Sequence, residues 1–309
     1  MTFDIISKRF WFFLISGVVI LLGIISLVTF GLPAGIEFSS GSMLTLKFEK
    51  QVDYAQFQQE IRNLGYTNAV IQRTGSGEFL IRTHELTEEE KAQIESALTA
   101  RFGQLSETQF YSVSPIAATE TVKNAAIAIA VSAVGILLYV TWAFRRMPNP
   151  FRYGTCAIIA LLHDVLVVLG VFSILSAILN WQINLMFITG ILAIIGYSIN
   201  NTIVIFDRIR ENLRKGISAD FEAVVNNSLV ETLSRSLNTS ITTLITILAL
   251  LLFVGTTIQN FAIVLLIGII AGTFDSICVA PSLLVVWDKG EWSRFIGRRS
   301  LTAVEIKGR

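Results

Sequence analysis

Charge is what this chain has little of. Only 15% of its 309 residues are Asp, Glu, Lys or Arg, against 53% hydrophobic and a mean hydropathy of +0.64. Soluble domains of this size do not carry that balance. The basic residues flank apolar runs rather than pooling on one face, and the net charge is +1, which argues against nucleic-acid binding. The two cysteines, Cys156 and Cys278, fall inside apolar runs, so no disulfide framework or cysteine-based metal site is encoded. His84 and His163 are the only histidines, and neither an HExxH pair nor a Gly-rich phosphate loop is present. These absences point away from an enzyme, and no cofactor or metal is expected. Ser198 or Ser240 as an intramembrane nucleophile would have only His163 for a base; the plainer reading has both hydroxyls bonding to backbone or to adjacent helices.

Long apolar runs are what the chain has in their place. Lys8 and Arg9 precede a run from Trp11 to Phe30, which at about 20 residues is long enough to cross a bilayer and longer than a signal peptide's apolar region. An uncleaved signal-anchor helix is expected. Five further spans are predicted near Asn124–Phe144, Tyr153–Leu175, Asn184–Asp207, Val230–Val254 and Phe261–Trp287. The connectors RRMPNPFR and DRIRENLRKG are basic, whereas NWQIN and GTTIQN carry no Lys or Arg, so the positive-inside rule puts both termini in the cytosol. Four segments follow: 1–30, the N-terminus and first helix; 31–121, extracytoplasmic; 122–287, a five-helix bundle; 288–309, a basic cytosolic tail with Lys289, Arg294, Arg298 and Arg299.

Residues 31–121 read β-α-β-β-α-β. Met43–Glu49 alternates as a strand, and Asp53 can cap a helix to Leu64 whose apolar face is Phe57, Ile61 and Leu64. Strands Ala69–Arg73 and Phe79–Arg82 flank a Gly75-Ser76-Gly77 turn. Thr87 and Glu90 form a capping-box pair for a helix ending near Phe102 and Gly103, and Gln109–Val113 is the last strand. This is the order of a ferredoxin-like domain. The predicted fold is therefore a six-helix membrane protein with an α+β ferredoxin-like domain inserted between helices one and two.

The candidate functional residues are polar groups at membrane depth: Asp164, Arg235 and Asp275, each too costly to leave facing lipid. Asn200 and Asn201 lie inside the fourth span, and Thr232, Arg235, Ser236, Thr239, Thr243 and Thr246 form a stripe along the fifth. Gly268, Gly272, Ser276 and Ala280 make a small-residue ridge beside Asp275, which predicts a close helix neighbour. A plainer role stands beside each. Arg235 could snorkel to the cytosolic surface, Asp164 could be a packed acceptor, Asp275 a strut between helices, and the Asn pair helix glue.

GIEFSSGS after the first helix, HDVLVVLG in the third, GYSINNTIVIFDRIRENLRKG ending the fourth, ETLSRSLNTSITTL opening the fifth and LIGIIAGTFDSICVAPSLL in the sixth resemble the SecF family. SecF is the smaller half of the SecDF accessory complex of the bacterial Sec translocase, in the RND superfamily. The resemblance covers nearly the whole chain and implies a bacterial inner-membrane subunit embedded in lipid. Paired with SecD, it would use the proton-motive force to help export unfolded preproteins through the Sec channel and its ATPase motor. Arg235 matches the family's proton-pathway arginine, which works with an aspartate of SecD. Two positions depart from the pattern: Asn201 stands where the family carries Asp, and Asp275 where it carries Ser. Asp275, with Asp164, is expected in the proton pathway; either the carboxylate has moved from position 201 to 275, or the family's role for position 201 does not apply here. Asn200, Asn201, Thr239 and Thr243 give polar support. The rival readings are a small-solute RND-type exporter subunit, which needs a ligand-sized apolar pocket, and a passive scaffold, which would tolerate loss of Arg235 and Asp275.

Overall fold

The computed structural model describes residues 4–74, 77–253 and 258–294. Gly75 and Ser76 of the expected turn, Arg298 and Arg299 of the tail, and the first part of GTTIQN lie outside the described residues. Among the described residues, six helical stretches are long and apolar enough to cross a membrane: Ile6–Thr29, Pro115–Ala143, Pro150–Leu179, Leu185–Lys215, Phe221–Phe253 and Gln259–Lys289. Most run past the apolar window that betrays them, because helical hydrogen bonding continues through polar turns. The fourth carries Asp207 through Lys215, closed by ion pairs such as Lys215–Glu211 at 2.6 Å. The chain divides into two compact units, 1–31 with 129–180 and 189–309, and 32–128 with 181–188.

The smaller unit is built around a sheet. After the short helix α2 (Ile36–Ser39), strand β1 (Gly41–Phe48) buries Leu44, Leu46 and Phe48 on one face by period-2 alternation. Helix α3 (Tyr54–Asn63), strands β2 (Val70–Arg73) and β3 (Phe79–Thr83), helix α4 (Glu88–Phe102) and strand β4 (Leu105–Val113) follow. All pairings are antiparallel, in the order β2-β3-β1-β4. Phe57 and Ile61 of α3 and Ile94 and Leu98 of α4 complete the core, where Phe57 stacks on Phe79 at 4.0 Å between ring centroids. Strand β4 starts four residues before the predicted Gln109 because it pairs along all of β1. As an edge strand with an exposed SETQ run, it offers no apolar alternation to read.

Both predicted caps form. The Asp53 carboxylate accepts from Gln56 N at 3.0 Å, and Thr87 and Glu90 bond reciprocally, Glu90 N to Thr87 Oγ1 at 3.3 Å and Thr87 N to Glu90 Oε2 at 2.8 Å. Hydrogen bonds from the Thr87 backbone and hydroxyl hold the Glu90 carboxyl below its usual range. A depressed carboxyl stabilises the fold above its unfolded value of about 4.3 and loses that contribution as pH falls through the lower folded value. Thr87→Ala is expected to cost about 1 kcal/mol of helix stability. It should show as faster amide exchange in α4 of the whole chain at neutral pH, with the gap from the unmutated protein closing in acid.

Backbone approach explains two glycines here. The NWQIN segment pairs with the chain after the first helix, Gly35 N donating to Ile183 O at 2.8 Å and Ile183 N to Pro33 O at 2.9 Å. A Cβ at Gly35 would sit 2.7 Å from that carbonyl oxygen. Gly41 opens β1 at φ +125°, a conformation side chains disfavour.

In the larger unit α1 (Arg9–Thr29) packs on α6 (Pro150–Leu179) backbone to backbone. A Cβ at Gly23 would lie 3.1 Å from Gly170 Cα, and just above that contact Ser26 Oγ donates to Ser173 Oγ at 2.9 Å. Gly170→Leu is expected to force these helices apart at about 1–3 kcal/mol. Accumulation in the membrane should fall, whereas substitution at the open Gly135 of α5 (Pro115–Ala143) should leave it unchanged. Buried Arg9, which reads in the sequence as a flanking positive charge, bonds Glu222 at 2.7 Å and forks onto Glu291 at 2.8 and 3.0 Å. It ties α1 to the start of α8 (Phe221–Phe253) and to the turn at Glu291.

Candidate functional site

Three buried ionisable groups meet in the larger unit. His163 and Asp164 lie near the middle of α6. Asp275 opens a π-helical turn, Asp275–Val279, between α9 (Gln259–Phe274) and α10 (Ala280–Lys289). Ala280 N bonds Asp275 O, five residues back, and π-turns of this kind concentrate at functional places in helices. Asp275 is 0% exposed and Asp164 1%. His163 Nδ1 is 3.3 Å from Asp164 Oδ1 and 3.8 Å from Asp275 Oδ1.

The small-residue ridge lets this happen, and its neighbour is α7 (Leu185–Lys215). Gly268 faces Ile194, Gly272 faces Ser198, and Ser276 Oγ lies 3.0 Å from Thr202 Oγ1, so four-residue steps on both helices run in register. A Cβ at Gly272 would stand 2.9 Å from Ser198 Oγ and 3.1 Å from Asp164 Oδ2. Ser198 Oγ donates to that same Asp164 Oδ2. Ser198 and Ser240 thus bond to side chains of adjacent helices, Ser240 accepting from Thr273 Oγ1 at 2.7 Å and Asn201 Nδ2 at 3.3 Å. Asn201 and Asp275 therefore hold different partners: Asn201 reaches Ser240 of α8, whereas Asp275 faces α6.

Arg235 stands apart. It is exposed on α8, and among the described residues its side chain makes no ion pair. Asn238, Thr239 and Thr242 are exposed around it, and Asn200 is exposed on α7. The threonines satisfy themselves: Thr239 donates to Arg235 O at 2.9 Å, Thr242 to Asn238 O at 3.0 Å and Thr243 to Thr239 O at 2.9 Å. Among the described residues, the side chains of Arg235, Asn238 and Asn200 make no such local bond. His163, the residue between the two carboxyls, carried little signal in the sequence because Asp275 at the π-turn is remote along the chain. The three donor groups lie within 4.8 Å of one another, a set a divalent ion could use. Against that use, the ring nitrogen facing both carboxyls is already engaged with Asp164 Oδ1 and the other oxygen of Asp164 with Ser198.

Residues 93–290 match the family model described as the C-terminal region of the protein-export membrane proteins SecD/SecF, and residues 25–52 the SecD/SecF GG motif. The chain belongs to the SecD/SecF family. Protein translocase subunit SecF of Thermobaculum terrenum is 43% identical over 96% of this chain and 97% of that protein. SecF of Anaerolinea thermophila is 39% identical with the same coverage. The SecDF of Bacillus subtilis is 33% identical over 92% of this chain but only 38% of its own length. The crystal structure of SecDF from Thermus thermophilus superposes with a TM-score of 0.82 at 32% identity, covering 94% of this chain and 39% of that one. The chain thus spans about two fifths of the solved SecDF, and its other SecF relatives match along nearly their whole length. Family membership and six apolar helices make it a multi-pass membrane protein, and relatives named as translocase subunits give no support to an enzymatic role.

Proposed function

We propose that this chain is the SecF half of a SecDF-type complex that uses the proton-motive force to help export unfolded preproteins through the Sec channel of the bacterial inner membrane. The observation that carries the proton-coupled part is the pair of fully buried carboxyls, Asp164 and Asp275, flanking one imidazole in the middle of apolar helices. Intramembrane Asp and His groups of this kind mark proton pathways. Arg235 joins them, completed by an acidic group of SecD. An arginine exposed on a membrane helix beside Asn238 needs protein against it, and fused SecDF relatives supply the candidate. Asn200, Asn201, Thr239 and Thr243 give polar support in the membrane. One charge crossing 100 mV releases about 2.3 kcal/mol, enough for a few protons to drive a domain movement.

Residues 31–121 act in this reading as an extracytoplasmic ferredoxin-like domain, supported by the β-α-β-β-α-β order and a sheet with β1 and β3 at its centre. Residues 122–287 form the bundle, and both termini are cytosolic. The small-solute exporter is disfavoured: a cavity of about 380 Å³ lies in the smaller unit, lined by Glu37, Glu85, Tyr111, Ser112 and Thr121 rather than by an apolar surface. Tagged protein should copurify with SecD, and cysteines at exposed Glu89 or Glu107 should react with an impermeant thiol reagent in intact cells. Labelling only after lysis would overturn the topology, and purification free of SecD would overturn the assignment.

A further inference from the structure

We propose that His163 is a relay residue that passes a proton between Asp275 and Asp164, so that this chain holds one segment of the pathway entirely within itself. The inference rests on the proton-coupled reading above. Asp275 and Asp164 come from different helices, and among the described residues no hydrogen bond joins them directly. The imidazole lies between them, with Nδ1 at 3.3 Å from Asp164 Oδ1 and 3.8 Å from Asp275 Oδ1. Among the described residues, both carboxylate oxygens of Asp275 and Nε2 of His163 are buried without a hydrogen-bond partner. Unpartnered buried polar atoms are costly, and where they persist they ask for a role. Asp164 is held differently. Ser198 Oγ donates to Oδ2, which fixes the carboxyl and leaves Oδ1 turned to the ring.

The step balances without any further reactant. The O–H bond of a protonated Asp275 breaks as an N–H bond forms at Nδ1 of a ring whose Nε2 already carries hydrogen. The imidazolium then releases that same proton to Asp164 Oδ1, and the ring returns to its starting tautomer. The distances order the two halves. The 3.3 Å gap is at the edge of hydrogen-bond range and the 3.8 Å gap is beyond it, so the Asp275 half requires a small approach of the two helices. Asp275 begins the π-turn, a place where a helix can readjust without losing its ladder.

The groups facing Asp275 are few. His163 and Asp164 come from α6 and Cys278 from its own turn. From α1, packed against the turn, Phe12 meets Phe274, and the only charge of α1 is Arg9, occupied by Glu222 and Glu291. From α7 come the hydroxyls of Ser198 and Thr202, and α10 contributes no charge before Asp288.

The test is proton uptake by proteoliposomes holding the full complex with SecD, driven by an imposed potential and followed across a range of pH. His163→Gln, which keeps a polar group but cannot carry a proton, is expected to lower uptake about a hundredfold, the low end for a positioned acid-base group. Whatever uptake survives should lose its pH dependence. Asp164→Asn should do the same, and Asp275→Glu should retain part of the flux. Uptake by His163→Gln at the unmutated rate with an unchanged pH profile overturns the relay. So does one equivalent of divalent metal, by elemental analysis, in the purified complex that is lost in His163→Gln. Should His163→Gln fail to accumulate, difference infrared spectra of the unmutated complex decide: the relay requires a protonated-carboxyl band that disappears in Asp275→Asn and shifts when Asp164 is changed, and its absence overturns it. An unmutated complex showing no potential-driven uptake would sink the proton-coupled reading itself, which these variants cannot do.

Discussion

Arg235→Ala is expected to reduce preprotein export more than tenfold while the protein accumulates at its normal level. Uncoupling a single charge forfeits about 2.3 kcal/mol per 100 mV, and about 1.4 kcal/mol already corresponds to a factor of ten. The side chain lies exposed on α8 without an ion pair among the described residues, so its removal leaves no buried partner orphaned within this chain. Loss of function should therefore not be loss of fold. Arg235→Lys keeps the charge but replaces a planar fork by a point charge, and is expected to recover little. The measurement is translocation of a secreted substrate into inverted vesicles with and without a membrane potential. Export by both variants at the unmutated, potential-dependent rate would return Arg235 to a snorkelling role.

Asp275→Asn carries the second large effect: proton-coupled export should stop. The substitution takes away the titrating carboxyl yet preserves volume at a 0% exposed site. Adding Asn201→Asp to that variant should restore part of the activity, since Asn201 bonds Ser240 of α8, the hydroxyl that Thr273, two residues before Asp275, also bonds. Recovery should be incomplete, as Asn201 bonds toward α8 rather than toward His163. Full export by Asp275→Asn alone would reduce the residue to a strut between helices. Absence of any rescue would do the same.

Local features were the legible ones. The capping box at Thr87 and Glu90, the Asp53 cap, the α3 face of Phe57 and Ile61, and the apolar runs of the six spans all depend on residues within a turn or two of each other. Strand β4 was legible only in its second half, since its first half is held by backbone pairing to β1 and exposes its side chains. The site divides the same way. The ridge at Gly268 and Gly272 foretold a close neighbour, but which helix would fill it depends on the register of Ile194, Ser198 and Thr202, and no periodicity in α7 declares that. Arg9 was misleading because a buried, forked arginine and a flanking positive charge look alike until Glu222 and Glu291 arrive from far along the chain. His163 gained meaning only once Asp275 faced it.

The π-turn also sets a phase. A helix carrying i to i−5 bonds over Asp275–Val279 holds one residue more than an α-helix of the same path, so everything beyond it is rotated by about 100° relative to an uninterrupted helix. Beyond it α10 is buried on every side, from Ala280 to Val286 without a break, so the shift re-aims all of these side chains at once. Pro281, which lacks an amide hydrogen to give, sits just after the insertion, where the hydrogen-bond register has just shifted. A single-residue deletion here would be felt in α10 as a change of face rather than a loss of length, re-aiming the buried run from Leu283 to Val286.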